Sequence, residues 1–278
     1  MGNCIYCGKD AGWFKTKHRE CFDRNRAGWQ RMLQTCRNAI LSGEAFESLE
    51  MCLQDIAKDA YVPDSQIREA VLEGCEQAID HLLEQGIINL EAEECLTRYT
   101  ETFKLSVEEL DRRGAWTRAT QSTVLREVLN GIIPQRMRIE GSVPFNFQQS
   151  EKVVWIFRNV GYYENRTHRS YQGGSQGVSL RIASGVYYRA GGFRGYPVDS
   201  SEWVKLDTGM LAVTDKHIYF TGSSKSFRIN YRKIVSFSPL SDGMTIQRDG
   251  LNAKAQAFAL GDGWFVYNLV TNLCRLAS

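Results

Sequence analysis

The spacing of apolar residues along the chain changes from a helical to a strand period near residue 139, and this change constrains the fold most. Over residues 28–130, apolar side chains recur every three or four positions, as in an amphipathic helix. Later runs such as VSLRIA (178–183) alternate apolar and polar side chains, as half-buried strands do. The sequence therefore predicts a multidomain α+β protein. The predicted domains are a small knuckle over 1–27, a helical bundle over 28–138 and a β-domain over 139–278.

Polar residues next to the apolar stripes predict where helices begin. Asn89 precedes one stripe, and Ser106 with Glu109 forms the S-x-x-E pattern of a capping box. Asp262 precedes the last stripe, which consists of Trp264, Leu269, Val270, Leu273 and Leu276. Many short strands followed by one amphipathic helix indicate an antiparallel β-barrel with that helix closing one end.

The composition is that of a globular protein with more than one domain. Of 278 residues, 43% are hydrophobic and 24% are charged. No apolar run approaches the roughly 20 residues of a membrane-spanning helix, and the N-terminus has no apolar signal core. The eight cysteines are too sparse for a secreted disulfide framework. We therefore expect a cytoplasmic protein with reduced thiols.

The N-terminal segment CIYCGKDAGWFKTKHREC contains the pattern C-x2-C-x10-H-x2-C. Zinc prefers four thiolate or imidazole ligands at the corners of a tetrahedron. Gly8 follows the first cysteine pair, where metal knuckles use left-handed backbone. We expect a structural Zn²⁺, since four protein ligands leave no open catalytic position; the alternative is a reduced cysteine cluster without metal. The candidate ligands are Cys4, Cys7, His18 and Cys21.

Basic and aromatic residues around this cluster suggest that the N-terminal segment could also contact nucleic acid. Trp13 and Phe14 lie among cationic side chains, and such a mixture can stack bases and neutralise phosphates. The candidate nucleic-acid contacts are Lys15, Lys17, Arg19, Arg24 and Arg26. The alternative is that the aromatic pair fills the small core of the knuckle and the charges are solvated. The whole-chain pI of about 8.1 is below that of a dedicated nucleic-acid-binding domain.

A second basic cluster lies in the β-domain, within YYENRTHRSYQGGSQGVSLR (162–181). Arginines around a glycine-rich loop can cradle a phosphate group. The later stretch AGGFRGYP (190–197) offers an aromatic anchor for a protein partner. The candidate phosphate- or partner-binding residues are Arg166, Arg169, Arg181, Phe193 and Arg194. The alternative is a hairpin loop without a ligand.

The stretch from Gly209 to Leu276 carries a family resemblance. Its first strand reads G-x-L-x-x-T from Gly209 to Thr214, and D-K-x-I-x-F follows from Asp215 to Phe220. With SFRINYRKIVSF after them, these residues resemble the bacterial pleckstrin-homology-like or GRAM-like domains. The resemblance implies an antiparallel barrel with a C-terminal helix, a fold that hosts many functions. The N-terminal cysteine cluster resembles small zinc ribbons and treble-clef knuckles.

Motifs of metalloproteases, Walker-type nucleotide sites and dinucleotide-binding sites do not occur in the chain. His217 begins a predicted strand, where we expect an exposed imidazole with ordinary partners. We therefore predict a non-enzymatic adaptor that binds a protein partner through the barrel, and analogy with similar domain mosaics suggests stress response or phage defence. The alternatives are a nucleic-acid-binding regulator and a peripheral lipid- or phosphate-binding module that contacts a membrane.

Overall fold

The structure is a computed structural model of the chain. It describes residues 2–43, 46–137, 139, 142–175, 178–183, 186–190, 193–250 and 253–277, with the backbone alone given between 167 and 200. The chain forms two compact units, Met1–Ile132 and Ile133–Ser278. Each unit is described by itself below.

The first unit is helical, as its apolar period predicts. Its helices are α1 (Arg19–Ser42), α2 (Leu49–Asp59), α3 (Ile67–Glu84), α4 (Leu90–Thr102), α5 (Val107–Leu110) and α6 (Ala115–Leu129), with a 3-10 turn at Asp64–Gln66. Helix α1 begins at Arg19, well before the apolar stripe starts at residue 28. The apolar period does not reveal its first turns, because they carry mostly charged, exposed residues. The predicted boundary at 27 therefore falls inside a continuous helix.

The predicted caps of this unit are confirmed. Asn89 accepts a hydrogen bond of 2.8 Å from the backbone N–H of Ala92, and Ser106 and Glu109 form both bonds of the capping box. Glycine lets α3 approach α1 closely, since a Cβ at Gly74 would lie 2.4 Å from the Cβ of Cys36. The core is thus built from tightly packed helices.

The second unit is a β-structure with a terminal helix. Its elements are β1 (Val153–Ser175), β2 (Val178–Ala183), β3 (Val186–Ala190), β4 (Phe193–Thr214), β5 (His217–Gly222), β6 (Ser226–Asn230), a 3-10 turn (Tyr231–Lys233), β7 (Ile234–Pro239), β8 (Gly243–Arg248), β9 (Gln256–Ala259) and α7 (Gly263–Leu276). Seven strands form one antiparallel sheet in the order β6-β5-β4-β1-β9-β8-β7. Strands β2 and β3 pair separately.

The sheet is not a closed barrel, and the prediction of closure is wrong. Strands β6 and β7 follow one another in the chain but form opposite edges of the sheet. The turn between them is anchored elsewhere, because the buried Tyr231 donates its hydroxyl to the carbonyl of Thr214 at 2.7 Å. The chain is therefore led away from β6 before β7 begins.

Helix α7 packs against β7 and β8, but its buried face differs from the predicted stripe. Asp262 caps the helix as predicted, accepting from the N–H of Phe265 at 2.9 Å. Leu269, Val270 and Leu273 are buried, and so are Phe265 and Val266. Trp264 and Leu276, by contrast, are exposed. Trp264 is the first residue after the helix-starting glycine, and the Phe265 ring takes the inward position, 5.1 Å from the ring of Trp155.

Candidate metal centre

The first two candidate ligands lie on a tight turn at the N-terminus. The N–H of Gly8 donates to the carbonyl of Cys4 at 2.9 Å, which closes the turn between Cys4 and Cys7. Gly8 has a φ of 71°, the left-handed conformation that was predicted for this position. A bridge between Asn3 and Asp10 then returns the chain beside its own start. This backbone aims both sulfur atoms toward the beginning of α1.

Helix α1 supplies the other two candidate ligands. His18 is its N-cap residue and Cys21 lies in its first turn, so both side chains lie beside the cysteine turn. The Nδ1 atom of His18 lies 3.4 Å from Sγ of Cys7 and 3.7 Å from Sγ of Cys21. All four ligand atoms, including Cys4 Sγ, lie within 4.8 Å of one another. The four predicted residues are therefore brought together.

These distances fit a tetrahedral ion. Zn–S and Zn–N bonds of about 2.3 and 2.0 Å place the sulfur and nitrogen corners of a tetrahedron about 3.5 Å apart. The observed separations from His18 Nδ1 to the two thiols bracket that value. The other ring nitrogen of His18, Nε2, donates to the carbonyl oxygen of Asp10 at 2.9 Å, which leaves Nδ1 free to bind metal. Cys4, Cys7, His18 and Cys21 could thus hold one metal ion.

The protein environment favours ionisation of the Cys4 thiol and opposes ionisation of the Cys21 thiol. Burial opposes ionisation of Cys4, but the backbone N–H groups of Cys7, His18 and Tyr6 outweigh it and lower the pKa of Cys4 to about 6. Desolvation and the neighbouring thiols raise the pKa of Cys21 to about 11. Three thiolates in this space repel one another, and a divalent cation removes that repulsion. The donor set therefore fits Zn²⁺ and would hold it through four protein atoms.

The aromatic pair beside the metal centre does not fill the core of the knuckle. Trp13 is 76% exposed and Phe14 is 100% exposed, with their rings 6.2 Å apart. Ile5 is 69% exposed, and its N–H donates to the carbonyl of Thr16 at 2.9 Å, which places it beside the same loop. The metal centre thus carries an apolar surface of three large side chains, here called the knuckle patch (Ile5, Trp13, Phe14).

The candidate nucleic-acid contacts are all exposed, but they are spread along the knuckle and α1. Lys15, Lys17, Arg19, Arg24 and Arg26 are the residues concerned. The Lys17 ammonium lies 3.7 Å from the ring centre of Phe22. The Arg24 guanidinium lies 5.4 Å from the ring centre of Tyr61. Lys15 and Lys17 lie next to the knuckle patch in sequence, whereas Arg24 and Arg26 lie on the second turn of α1.

The candidate phosphate loop is not a loop in the described backbone. Residues 162–175 belong to β1, which pairs with β4 as a long ribbon. Arg166 lies opposite Glu202, and its Nε atom is buried without an acceptor among the described residues. The side chains of Arg169, Arg181, Phe193 and Arg194 lie outside the described residues.

A buried polar network in the second unit was missed from the sequence. The Glu151 carboxylate, fully buried, accepts hydrogen bonds from His217 Nδ1, from the Tyr219 hydroxyl at 2.6 Å and from the N–H of Gln148 at 3.0 Å. Burial raises the pKa of Glu151, but these hydrogen bonds lower it by more. His217 is therefore buried, not exposed as predicted. Gln148 and Glu151 lie more than sixty positions before His217 and Tyr219, and no local pattern indicates that the two pairs meet.

The letters of Gly173–Gly177 match the G-x-S-x-G pattern of hydrolase nucleophile elbows. In that motif the serine stands on a turn from a strand into a helix. Here Ser175 ends β1, and the next described element is the strand β2. The described backbone does not provide the context that the motif requires.

The described helices offer no membrane span, since none combines the length and the apolar character that a membrane crossing needs. No family model matches the chain, and no curated protein is significantly similar to it.

Proposed function

We propose that the chain is a non-enzymatic adaptor whose second unit is a pleckstrin-homology-like domain that binds a protein partner. Strands β1, β4, β5 and β6 form one antiparallel meander and β7, β8 and β9 form another; the two meet at the β1–β9 pair, and α7 follows. The antiparallel pairing and the C-terminal helix agree with what the resemblance in the last seventy or so residues implies, whereas the open sheet does not. The order of strands supports the domain assignment.

The open edge of β7 carries the functional proposal. Among the described strands, β7 pairs with β8 alone, so one row of its backbone N–H and C=O groups has no strand partner. Four of its six residues are exposed, and Val235 is 68% exposed. An open edge with an apolar side chain is suited to adding one more strand. The occupant we propose is an extended segment of a partner protein.

An apolar neighbour would give that segment a side-chain contact. Trp264, at the start of α7, is 62% exposed. The backbone of Gly263 packs on the turn after β7, since a Cβ there would lie 1.9 Å from the carbonyl oxygen of Leu240. Trp264 therefore follows a residue that lies at the end of β7, and an exposed tryptophan is the type of residue that dominates binding energy at interfaces. Backbone pairing would supply affinity, and Trp264 would supply selectivity.

The metal centre has a structural role in this proposal. A Cys3His set occupies all four positions of a tetrahedral ion and leaves none for a substrate. The short N-terminal segment has few buried apolar side chains, with Cys4 and Ala11 the buried members. A bound Zn²⁺ would replace the missing core and fix the turn that displays the knuckle patch.

Site-specific photocrosslinking tests the β7 proposal. A benzophenone amino acid at Val235 in the full chain, expressed in its own cells, should form a covalent adduct with one recurrent protein. The matched control is the same amino acid at Val107, which is 59% exposed in the other unit. With the purified partner, Val235→Asp and Trp264→Ala should each weaken binding at least tenfold in calorimetry. Identical adducts from both positions, or unchanged affinity in both variants, would contradict the proposal.

The knuckle patch favours one second candidate, a nucleic-acid-binding regulator. Trp13 and Phe14 are largely exposed and can stack on bases, and Lys15 and Lys17 lie within three positions after them. Fluorescence anisotropy with a mixed-sequence single strand at 50 and 200 mM salt tests it. Binding that weakens with salt and is lost in Trp13→Ala/Phe14→Ala would support this candidate, and no binding at the lower salt would reject it.

A further inference from the structure

A cavity of about 560 Å³ lies at the corner where the sheet fails to close. Its walls come from β6, from the 3-10 turn Tyr231–Lys233, from the end of β8 and from Gln148 in the segment before β1. This volume falls within the range of small-molecule sites in proteins. The cavity is therefore large enough for a ligand of metabolite size.

The lining of this cavity is strongly cationic. Arg228, Arg232, Lys233 and Arg248 all contribute to it, and no aspartate or glutamate does. Within the described part of the chain, no carboxylate forms an ion pair with any of the four. We call these four residues and the space between them the basic cleft. Four positive charges in one concave site attract a multiply charged anion.

Neighbouring groups hold parts of the basic cleft in place. With the Gln148 amide oriented so that its oxygen faces Arg228, this oxygen accepts from the two terminal nitrogens of the guanidinium at 3.0 and 3.3 Å. Asn230 accepts from the backbone N–H of Arg232 at 2.9 Å, and its amide nitrogen lies 3.0 Å from Nε2 of His217. His217 in turn is fixed by the buried Glu151. The start of the 3-10 turn is thus preorganised before any ligand arrives.

One cation of the cleft has an unused donor. The Nε–H of Arg248 is buried and has no acceptor among the described residues. A buried donor without a partner costs free energy, and the cost is recovered when an acceptor arrives. A bound oxyanion near this guanidinium could supply that acceptor. The observation points to an anionic ligand rather than to an apolar one.

We propose that the basic cleft binds the phosphate groups of a small, multiply phosphorylated ligand. Phosphate matches the planar guanidinium fork and brings two or more negative charges, whereas a single carboxylate would leave most of the four cations uncompensated. The cleft is separate from the arginines of the long β1–β4 ribbon and uses none of them. The strand-addition proposal uses the backbone of β7 and Trp264, whereas this proposal uses four cationic side chains outside β7, so each can fail without the other.

Calorimetric titration of the full chain with tripolyphosphate, at low and at moderate salt, tests the proposal. Wild-type protein should bind one equivalent, and Arg232→Gln/Lys233→Gln should weaken binding at least tenfold. Both side chains are exposed, so this variant should keep its fold. Lys205→Gln/Lys254→Gln removes the same charge from exposed sites outside the cleft and should change affinity less than twofold.

A vesicle arm distinguishes the source of the phosphate. Flotation with phosphatidylcholine vesicles containing a phosphatidylinositol phosphate should retain the chain only if the ligand is a lipid headgroup, and tripolyphosphate should then compete. Binding of tripolyphosphate without vesicle retention would identify a soluble ligand. No binding of either probe, or equal weakening in both double variants, would overturn the proposal. Tighter binding of a mixed-sequence oligonucleotide than of tripolyphosphate would also overturn it, provided that Arg232→Gln/Lys233→Gln weakens the oligonucleotide binding.

Discussion

The Nε2 atom of His18 donates a hydrogen bond of 2.9 Å to the carbonyl oxygen of Asp10. This contact selects the imidazole tautomer whose Nδ1 lone pair faces the sulfur atoms of Cys7 and Cys21. The candidate metal centre is thus organised by the backbone as well as by its four side chains, since Asp10 belongs to the turn that follows the first cysteine pair.

We expect freshly purified protein to contain about one equivalent of zinc by elemental analysis. Cys7→Ser should lower zinc affinity by at least one to two orders of magnitude, because it removes a thiolate from a four-ligand set. The control is Cys52→Ser, since Cys52 is an exposed thiol outside the cluster. Cobalt exchanged into the site should give the visible absorption of a tetrahedral thiolate complex. Less than half an equivalent of zinc, or equal loss in both variants, would count against the site.

Helix packing in the first unit depends on Gly74. A Cβ at this position would lie 2.4 Å from the Cβ of Cys36 and 3.2 Å from the carbonyl oxygen of Leu33. Gly74→Ala should therefore force α1 and α3 apart and destabilise the protein by about 1–3 kcal/mol, despite the better helix propensity of alanine. Urea denaturation measures this change. Gln34→Ala, at an exposed position of α1, is the control and should be nearly neutral; a neutral or stabilising Gly74→Ala would show that the helices are not in close contact.

Patterns that depend on neighbours in sequence were predictable, and contacts between distant segments were not. The spacing of apolar residues distinguished the helical half of the chain from the β half. The caps at Asn89, Ser106 and Asp262 were recognisable from the sequence alone. The cysteine cluster was also predictable, because its spacing is itself the signal. The length of β1 and β4 was not, because their polar, glycine-rich halves lack alternation.

The open sheet and the Glu151 network illustrate what sequence patterns miss. Closure depends on how Tyr231 is anchored to a carbonyl seventeen positions away. The partners of Glu151 on β5 lie more than sixty positions along the chain. Neither contact produces a periodic pattern in the sequence, so both are recognisable only in the three-dimensional structure.

The Glu151 network should be cooperative. Tyr219→Phe removes one donor to the buried carboxylate, and Glu151→Gln removes its charge. In a double-mutant cycle we expect a coupling free energy of about 1 kcal/mol, because the two residues share one hydrogen bond of 2.6 Å. Chemical denaturation of the four proteins measures it. Additive effects would mean that the hydroxyl and the carboxylate stabilise the fold separately.

Asp207 should make the second unit sensitive to acid. The backbone N–H of Ser224, at 2.8 Å, is the largest cause that lowers the pKa of this carboxyl, and the hydroxyl of Ser223 and the N–H of Lys225 act in the same direction. A carboxyl with a lower pKa in the folded than in the unfolded state stabilises the fold above the unfolded value of about 3.9, and this contribution is lost as the pH falls below it. The wild-type protein should therefore lose thermal stability below about pH 4.

Asp207→Asn keeps the size of the side chain but not its charge. Its melting temperature at pH 7 should be lower by several degrees and should fall less steeply between pH 5 and pH 3. A parallel decline of both proteins over that range would mean that other carboxyls cause the acid sensitivity.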